Sequence, residues 1–167
     1  MTKSLKITIL LAIIGLGVGC LKREQFSEIP ELSYNAHYFQ DSLLYLVFTF
    51  KDGDGNVGLK EGEDGPLIID GDTVYVRGVK IDPASNLFME YFGKNAGEWT
   101  YHTLFQYRMP FIEPEGKNKA LEGEMTVEIF RPFTNSLPYD TIKFVCQFYD
   151  RANNKSNVVE TEEIIRP

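Results

Sequence analysis

Oxygen-bearing side chains stand at alternate positions in one short stretch of this chain. Residues 52–58 read Asp-Gly-Asp-Gly-Asn-Val-Gly, so Asp52, Asp54 and Asn56 occupy every second place, and Glu63 follows eleven residues after Asp52. A hard divalent cation wants several such oxygens, and twelve-residue calcium loops draw ligands from alternate positions and close on a bidentate glutamate. The spacing names Asp52, Asp54, Asn56 and Glu63 as a candidate Ca2+ set, with a backbone carbonyl near Gly58. Two features depart from such loops. Their glycine at the sixth place is here Val57, with Gly58 one later, and the residues before Asp52 have the pattern of a strand rather than a helix. The same stretch also fits a glycine-rich turn whose aspartates bind their own backbone amides, with the acidic residues to Asp72 simply solvated. Both readings stand on sequence.

A second residue with chemistry to offer is Cys20. Lys3 and Lys6 precede an apolar run over residues 7–18, about a dozen residues where a membrane-crossing helix needs about 20. The run ends Leu16-Gly17-Val18-Gly19-Cys20, which resembles the lipobox cut by lipoprotein signal peptidase, with Gly17 where leucine is usual. The cysteine is required because its sulfur takes up a diacylglyceryl group before the preceding peptide bond is cut. Each buried methylene of an acyl chain contributes about 0.8 kcal/mol, so several chains make a lasting anchor. The expectation is therefore a signal peptide over residues 1–19, a lipidated Cys20 with a tether over 20–33, and one domain over 34–167. Cleavage would shorten the chain from 167 to 148 residues and, by removing two lysines, move the formal charge from -7 to -9. Such acidity argues against nucleic acid as a partner, because phosphate binding needs clustered Lys and Arg.

With Cys20 lipidated, the only other cysteine, Cys146, has no partner for a disulfide. It shares strand parity with Ile142, Phe144 and Phe148, the setting of a small buried hydrophobe. His37 and His102 lie among aromatic strand residues, where a structural role outweighs base catalysis. Nucleophile elbow, paired-cysteine or His-Glu-x-x-His metal motifs and phosphate-cradling glycine loops are all absent. No catalytic residue is expected.

The elements that must position these residues read as strands. Runs rich in β-branched and aromatic residues at 43–50, 73–81, 87–92, 99–109, 124–130, 141–149 and 157–165, with a weaker one at 34–39, alternate with Gly, Asn, Asp and Pro clusters. Leu44, Leu46, Phe48 and Phe50 share one face; Trp99, Tyr101, Thr103, Phe105, Tyr107 and Met109 share another and are expected in the core. Seven to eight strands without a sustained helical period predict an all-β chain, a two-sheet sandwich being the natural way to bury one face of each strand and a closed barrel the alternative. If an aromatic patch is left exposed, it should involve Phe88 and Phe92 with the 93–97 loop, or Phe111, Phe133 and Leu137.

Residues 148–157, Phe-Tyr-Asp-Arg-Ala-Asn-Asn-Lys-Ser-Asn, resemble the penultimate strand and turn of bacterial immunoglobulin-like domains. Asp150, Ala152, Asn154 and Ser156 match, Asn153 standing where glycine is usual. Together with the lipobox, the Asp-Gly-Asp-Gly-Asn loop and residues 114–124, this is similar to a group of small Bacteroidota envelope lipoproteins. The resemblance implies an immunoglobulin-like or fibronectin-type β-sandwich and an outer-membrane location, on the periplasmic or the cell-surface face. In the immunoglobulin-like turn, Asp150 would bind turn amides and a small Ala152 would let the loop pack closely. Three functions follow in order: a non-catalytic module that contacts an envelope protein, an accessory subunit of an outer-membrane complex being one form; a surface binder of glycan or another ligand; and an envelope hydrolase.

Overall fold

Alternating apolar residues build two antiparallel sheets that share one core. The computed structural model describes residues 26–63, 68–69, 72–73, 75–76, 79–80, 87–115, 119–130 and 138–167. Cys20, the apolar leader, Phe133 and Leu137 lie outside the described residues. In chain order the strands are β1 (Glu31–Gln40), β2 (Leu43–Asp52), β3 (Ile68–Ile69), β4 (Asp72–Thr73), β5 (Tyr75–Val76), β6 (Val79–Lys80), β7 (Leu87–Lys94), β8 (Thr100–Tyr107), β9 (Leu121–Phe130), β10 (Thr141–Tyr149), β11 (Lys155–Glu160) and β12 (Ile164–Ile165). Among the described residues the smaller main sheet has the order β1-β2-β9 and the larger runs β11-β10-β7-β8, with β12 on the same edge of β10 as β11, while β3-β4 and β5-β6 form separate two-stranded ribbons. All these pairings are antiparallel. Among the described residues there is no helix.

The expected inward face of β2 is buried: Leu44, Leu46, Phe48 and Phe50 meet Met125, Val127 and Ile129 of β9 and, across the core, Ile142, Phe144, Cys146 and Phe148 of β10. Phe50 and Phe148, one from each sheet, lie with ring centroids 6.2 Å apart. Fully burying each such side chain contributes roughly 1.5–3 kcal/mol, and shared burial is what holds two sheets face to face. Cys146 is fully buried in this layer as a free thiol, and burial pushes the thiol pKa up.

Two bulges set which residues point inward. In β1 the register slips between Tyr34 and Ala36, leaving Asn35 unpaired. Leu32 and Tyr34 face the core before the slip, and His37 and Phe39 after it, opposite Leu46 and Leu44. This break in the period of two explains why the β1 pattern is weak in sequence. The ladder also starts at Glu31, earlier than residue 34, with Leu32 buried and clamped by Asn157, which accepts from Leu32 N at 2.9 Å and donates to Leu32 O at 2.8 Å.

The second bulge lies at His102, because Tyr91 pairs with Thr103 but Phe92 pairs with Tyr101. It corrects one expectation: Phe105, Tyr107 and Met109 do pack on the core, whereas Tyr101 leaves the core parity and joins Phe92 on the outer face. Trp99 lies beside them, its ring met by Lys94 Nζ at 4.4 Å and Lys143 Nζ at 4.6 Å. An extra residue in a strand flips the parity of everything on one side of it.

Two further runs are divided. The 73–81 run is not one strand, since β5 pairs back on β6. The last run divides into β11 and β12 because Thr161 interrupts it: buried, it accepts from Phe144 N through Oγ1 at 3.0 Å and donates its own N to Phe144 O at 2.9 Å. Alternation reports faces, and it is silent on where a chain reverses or breaks step.

Candidate metal centre

Strand parity carries two carboxylates into the end of the core. Residues 44, 46, 48 and 50 of β2 point inward, and the next of that parity is Asp52, the last residue of the strand and fully buried. In the facing sheet, residues 142, 144, 146 and 148 of β10 point inward, and the next is Asp150, 2% exposed. Because Phe50 and Phe148 already meet across the core, the two aspartates arrive at the same end of the molecule. Asp54, half-buried in the loop after β2, completes a cluster in which one carboxylate oxygen from each of Asp52, Asp54 and Asp150 lies within 4.8 Å of the others.

The oxygens of this cluster are unequally satisfied. Asp150 Oδ1 accepts from Asn154 N and Oδ2 from Asn154 Nδ2, both at 2.8 Å. Asp54 Oδ1 accepts from Asn56 N at 3.3 Å and Oδ2 from Asn56 Nδ2 at 2.7 Å. Asp52 Oδ1 accepts from Asp54 N at 3.2 Å and Gly55 N at 3.3 Å, but its Oδ2 is buried with no hydrogen-bond partner among the described residues. A buried acceptor left unmatched is costly, and one on an ionised carboxylate more so. Burial first, then the adjoining Asp54 carboxylate, raise the Asp52 pKa; burial chiefly raises that of Asp150, with Asp54 adding to it. Such a cluster has two ways to relieve its charge, a shared proton or a hard cation, and it offers no nitrogen or sulfur ligand.

Of the other residues in the candidate calcium set, Asn56 borders the cluster as a donor to Asp54, and Glu63 pairs with Arg151. Glu63 is forked onto Arg151, which donates from Nη1 to Oε2 at 2.8 Å and from Nη2 to Oε1 at 3.1 Å; Lys60 N donates to Oε2 at 2.8 Å. These bonds, led by those from Arg151, lower the Glu63 pKa. Asn56 joins the two loops instead, its carbonyl and its Oδ1 both accepting from Arg151 N, at 3.0 and 3.3 Å. Asp150 is the member of the cluster that spacing within one loop misses, and Arg151 beside it pairs with Glu63, which is not part of the cluster. The signal was present in the parity, because both Phe50-x-Asp52 and Phe148-x-Asp150 end an inward stripe on a carboxylate.

The loop that carries Asp54 is pinned on both sides. Gly53 N donates to Ser27 O at 2.8 Å, and Leu59 forms a short parallel bridge to Pro110, with Leu59 N donating to Met109 O at 3.0 Å. Val57, at the place where helix-flanked calcium loops carry glycine, is fully buried in the core. Gly55 and Gly58 have φ of 67° and 75°, and a Cβ on either would stand 1.9 Å from a backbone oxygen, that of Lys119 or Pro110. A shallow cleft bordered by Asp54, Asn56, Lys60, Phe111, Lys119 and Arg151 opens beside the cluster. Phe111 is half-buried there under Lys60 Nζ at 4.7 Å and the Arg151 guanidinium at 5.3 Å.

In the second turn, Asn153 takes the left-handed backbone with φ of 65° that glycine usually supplies. Ala152 is exposed, so close packing is not what sets its size. Ser156 is buried and accepts from Phe148 N through Oγ at 2.9 Å, beside the irregularity where β11 leaves β10. His37 lies on β1 with Nδ1 3.0 Å from both Tyr34 Oη and Glu162 Oε1; His102 lies on β8, edge-on to Tyr91. The two histidines belong to different sheets. Phe88 is buried against Tyr149 rather than presented to solvent.

No known protein family, curated protein or solved structure matches the chain.

Proposed function

We propose that this chain is a lipid-anchored envelope protein whose immunoglobulin-like sandwich serves as a non-catalytic interaction module, with an envelope protein as its partner. The observation that carries the reading is the leader ending Leu16-Gly17-Val18-Gly19-Cys20. Support for the module comes from the rest: eight strands in the two main antiparallel sheets among the described residues, an Asp150–Ser156 turn whose sequence resembles that of immunoglobulin-like domains, and loops stapled to one another by backbone hydrogen bonds. Tethering to a bilayer confines a protein beside membrane partners and raises effective concentration, so a small contact area suffices. The outer membrane is the expected site of anchoring. Expressed in a bacterial host, the chain should incorporate a palmitate analogue, Cys20→Ser should not, and only the native form should bring down one envelope protein stoichiometrically from detergent-solubilised membranes. Equal membrane partition of the two forms would defeat the proposal.

Glycan binding is favoured by one specific feature. The bulge at His102 moves Tyr101 from the core to the outer sheet face, beside Phe92 and Trp99, where flat rings could stack on sugar. Retention on immobilised polysaccharide that Trp99→Ala removes would establish this second reading in place of the first.

A further inference from the structure

We propose that Asp52, Asp54 and Asp150 form a structural calcium site that ties the end of β2 to the end of β10, one strand from each sheet. The site differs from the set that loop spacing picks out, since Asp150 enters while Asn56 and Glu63 leave. It stands independently of the lipid anchor and of any partner.

Two separate observations meet here. The first is geometric: carboxylate oxygens of the three residues lie within 4.8 Å of one another, inside the roughly 5 Å that spans a calcium shell with ligands at about 2.3–2.6 Å. The second is an unmet need. Asp52 is fully buried, and among the described residues its Oδ2 has no hydrogen-bond partner although Oδ1 has two. The hydrogen bonds that Asp54 and Asp150 accept from Asn56 and Asn154 orient their carboxylates and leave lone pairs for an ion, as outer-shell donors do at metal sites. Arg151, next in sequence to Asp150, is forked onto Glu63 and does not neutralise the cluster. All-oxygen, carboxylate-rich donors select calcium or magnesium over zinc or copper. Assembly from two strand ends and the loop after β2 favours the larger ion, which tolerates varied geometry where magnesium demands an octahedron.

Calcium would thus act as a clasp at one end of the sandwich. It would join the aspartates only when both strands are docked, so its binding energy adds to folding.

The test uses the full chain in detergent, stripped of metal with EGTA, then titrated with calcium chloride while melting temperature and bound calcium are both measured. One ion per chain is expected, with the melting temperature rising by about 5–10 °C when free calcium exceeds the Kd about 100-fold. Asp52→Asn keeps an oxygen for the two backbone amides and points an amide at the aspartates. It should melt in EGTA no lower than the native chain, bind calcium at least about 100-fold more weakly, and lose the shift. Glu63→Gln should keep the shift. The proposal is overturned by no bound ion at 10 mM (about ten to a hundred times the Kd of weak extracellular calcium modules), by a shift that survives in Asp52→Asn, by its loss in Glu63→Gln, or by an equal response to magnesium.

Discussion

Single residues in this protein take their chemistry from where strand parity delivers them. Cys146 shows this plainly: flanked on its face by Phe144 and Phe148 and with no exposed surface, its thiol sits where a thiolate is poorly solvated. Ellman's reagent should therefore leave Cys146 unmodified in the folded chain and react fully in denaturant; rapid labelling of the native protein would contradict the burial. Glu63 lies at the other extreme, a surface carboxylate whose pKa is lowered by Arg151. A lowered folded pKa means the ionised form is favoured by folding, so the contribution is complete above the unfolded value, about 4.3, and fades as pH falls through the lower folded value. Glu63→Gln should accordingly be less stable than the native chain at pH 7. Denaturation midpoints of the two should converge as pH drops below the ordinary carboxylate range; a gap that persists at pH 2 would argue against the ion pair.

At the scale of elements, the loop after β2 matters most, because it holds Asp54 and closes against both the 109–112 segment and the β10–β11 turn. Its path depends on Gly58, whose φ of 75° and approach to Pro110 O exclude a side chain. Replacing Gly58 with Ala forces a left-handed alanine and displaces the Leu59–Pro110 bridge, at a cost of about 1–3 kcal/mol by the strain usual for such positions. Urea unfolding measures this directly, and Gly62→Ala is the matched control, since its φ is 79° yet no atom of the described residues lies within 4 Å of the added carbon. Equal effects at the two sites would show that contact with Pro110 adds nothing. The bulges at Asn35 and His102 are the other decisive elements: one keeps β1 facing the core, and the other turns Tyr101 out of it.

At the scale of the whole molecule, both sheets contribute to one continuous apolar cluster, with Leu44, Phe48 and Val127 from one and Met89, Phe144 and Phe148 from the other. Each sheet contributes one wall of this cluster, so neither can keep it buried if the other leaves. Unfolding should therefore be a single cooperative transition. The protein's one tryptophan, Trp99, sits on the outer face of the five-stranded sheet beside Lys94 and Lys143, so its fluorescence reports that sheet. Its urea curve should coincide with far-ultraviolet circular dichroism, which follows both sheets; two separated midpoints would mean that the sheets melt independently.

Much of this architecture is legible from residue order alone. Every second residue of 44–50 and 142–148 is apolar, and a period of two on half-buried strands admits few alternatives, so all-β character, two buried faces and the burial of Cys146 follow from local pattern. Asp52, Asp54 and Asp150 are likewise visible as acids in turns. What the pattern lacks is any record of partners distant along the chain. Asp150 lies nearly a hundred residues beyond Asp52, and only the docking of β2's sheet on β10's sheet brings their carboxylates together. The same holds for Arg151, which reaches back to take Glu63, and for the bulge that turns Tyr101 outward. Spacing along a chain measures neighbours within a loop, whereas a site assembled from the ends of facing strands is set by how sheets pack and where their registers slip.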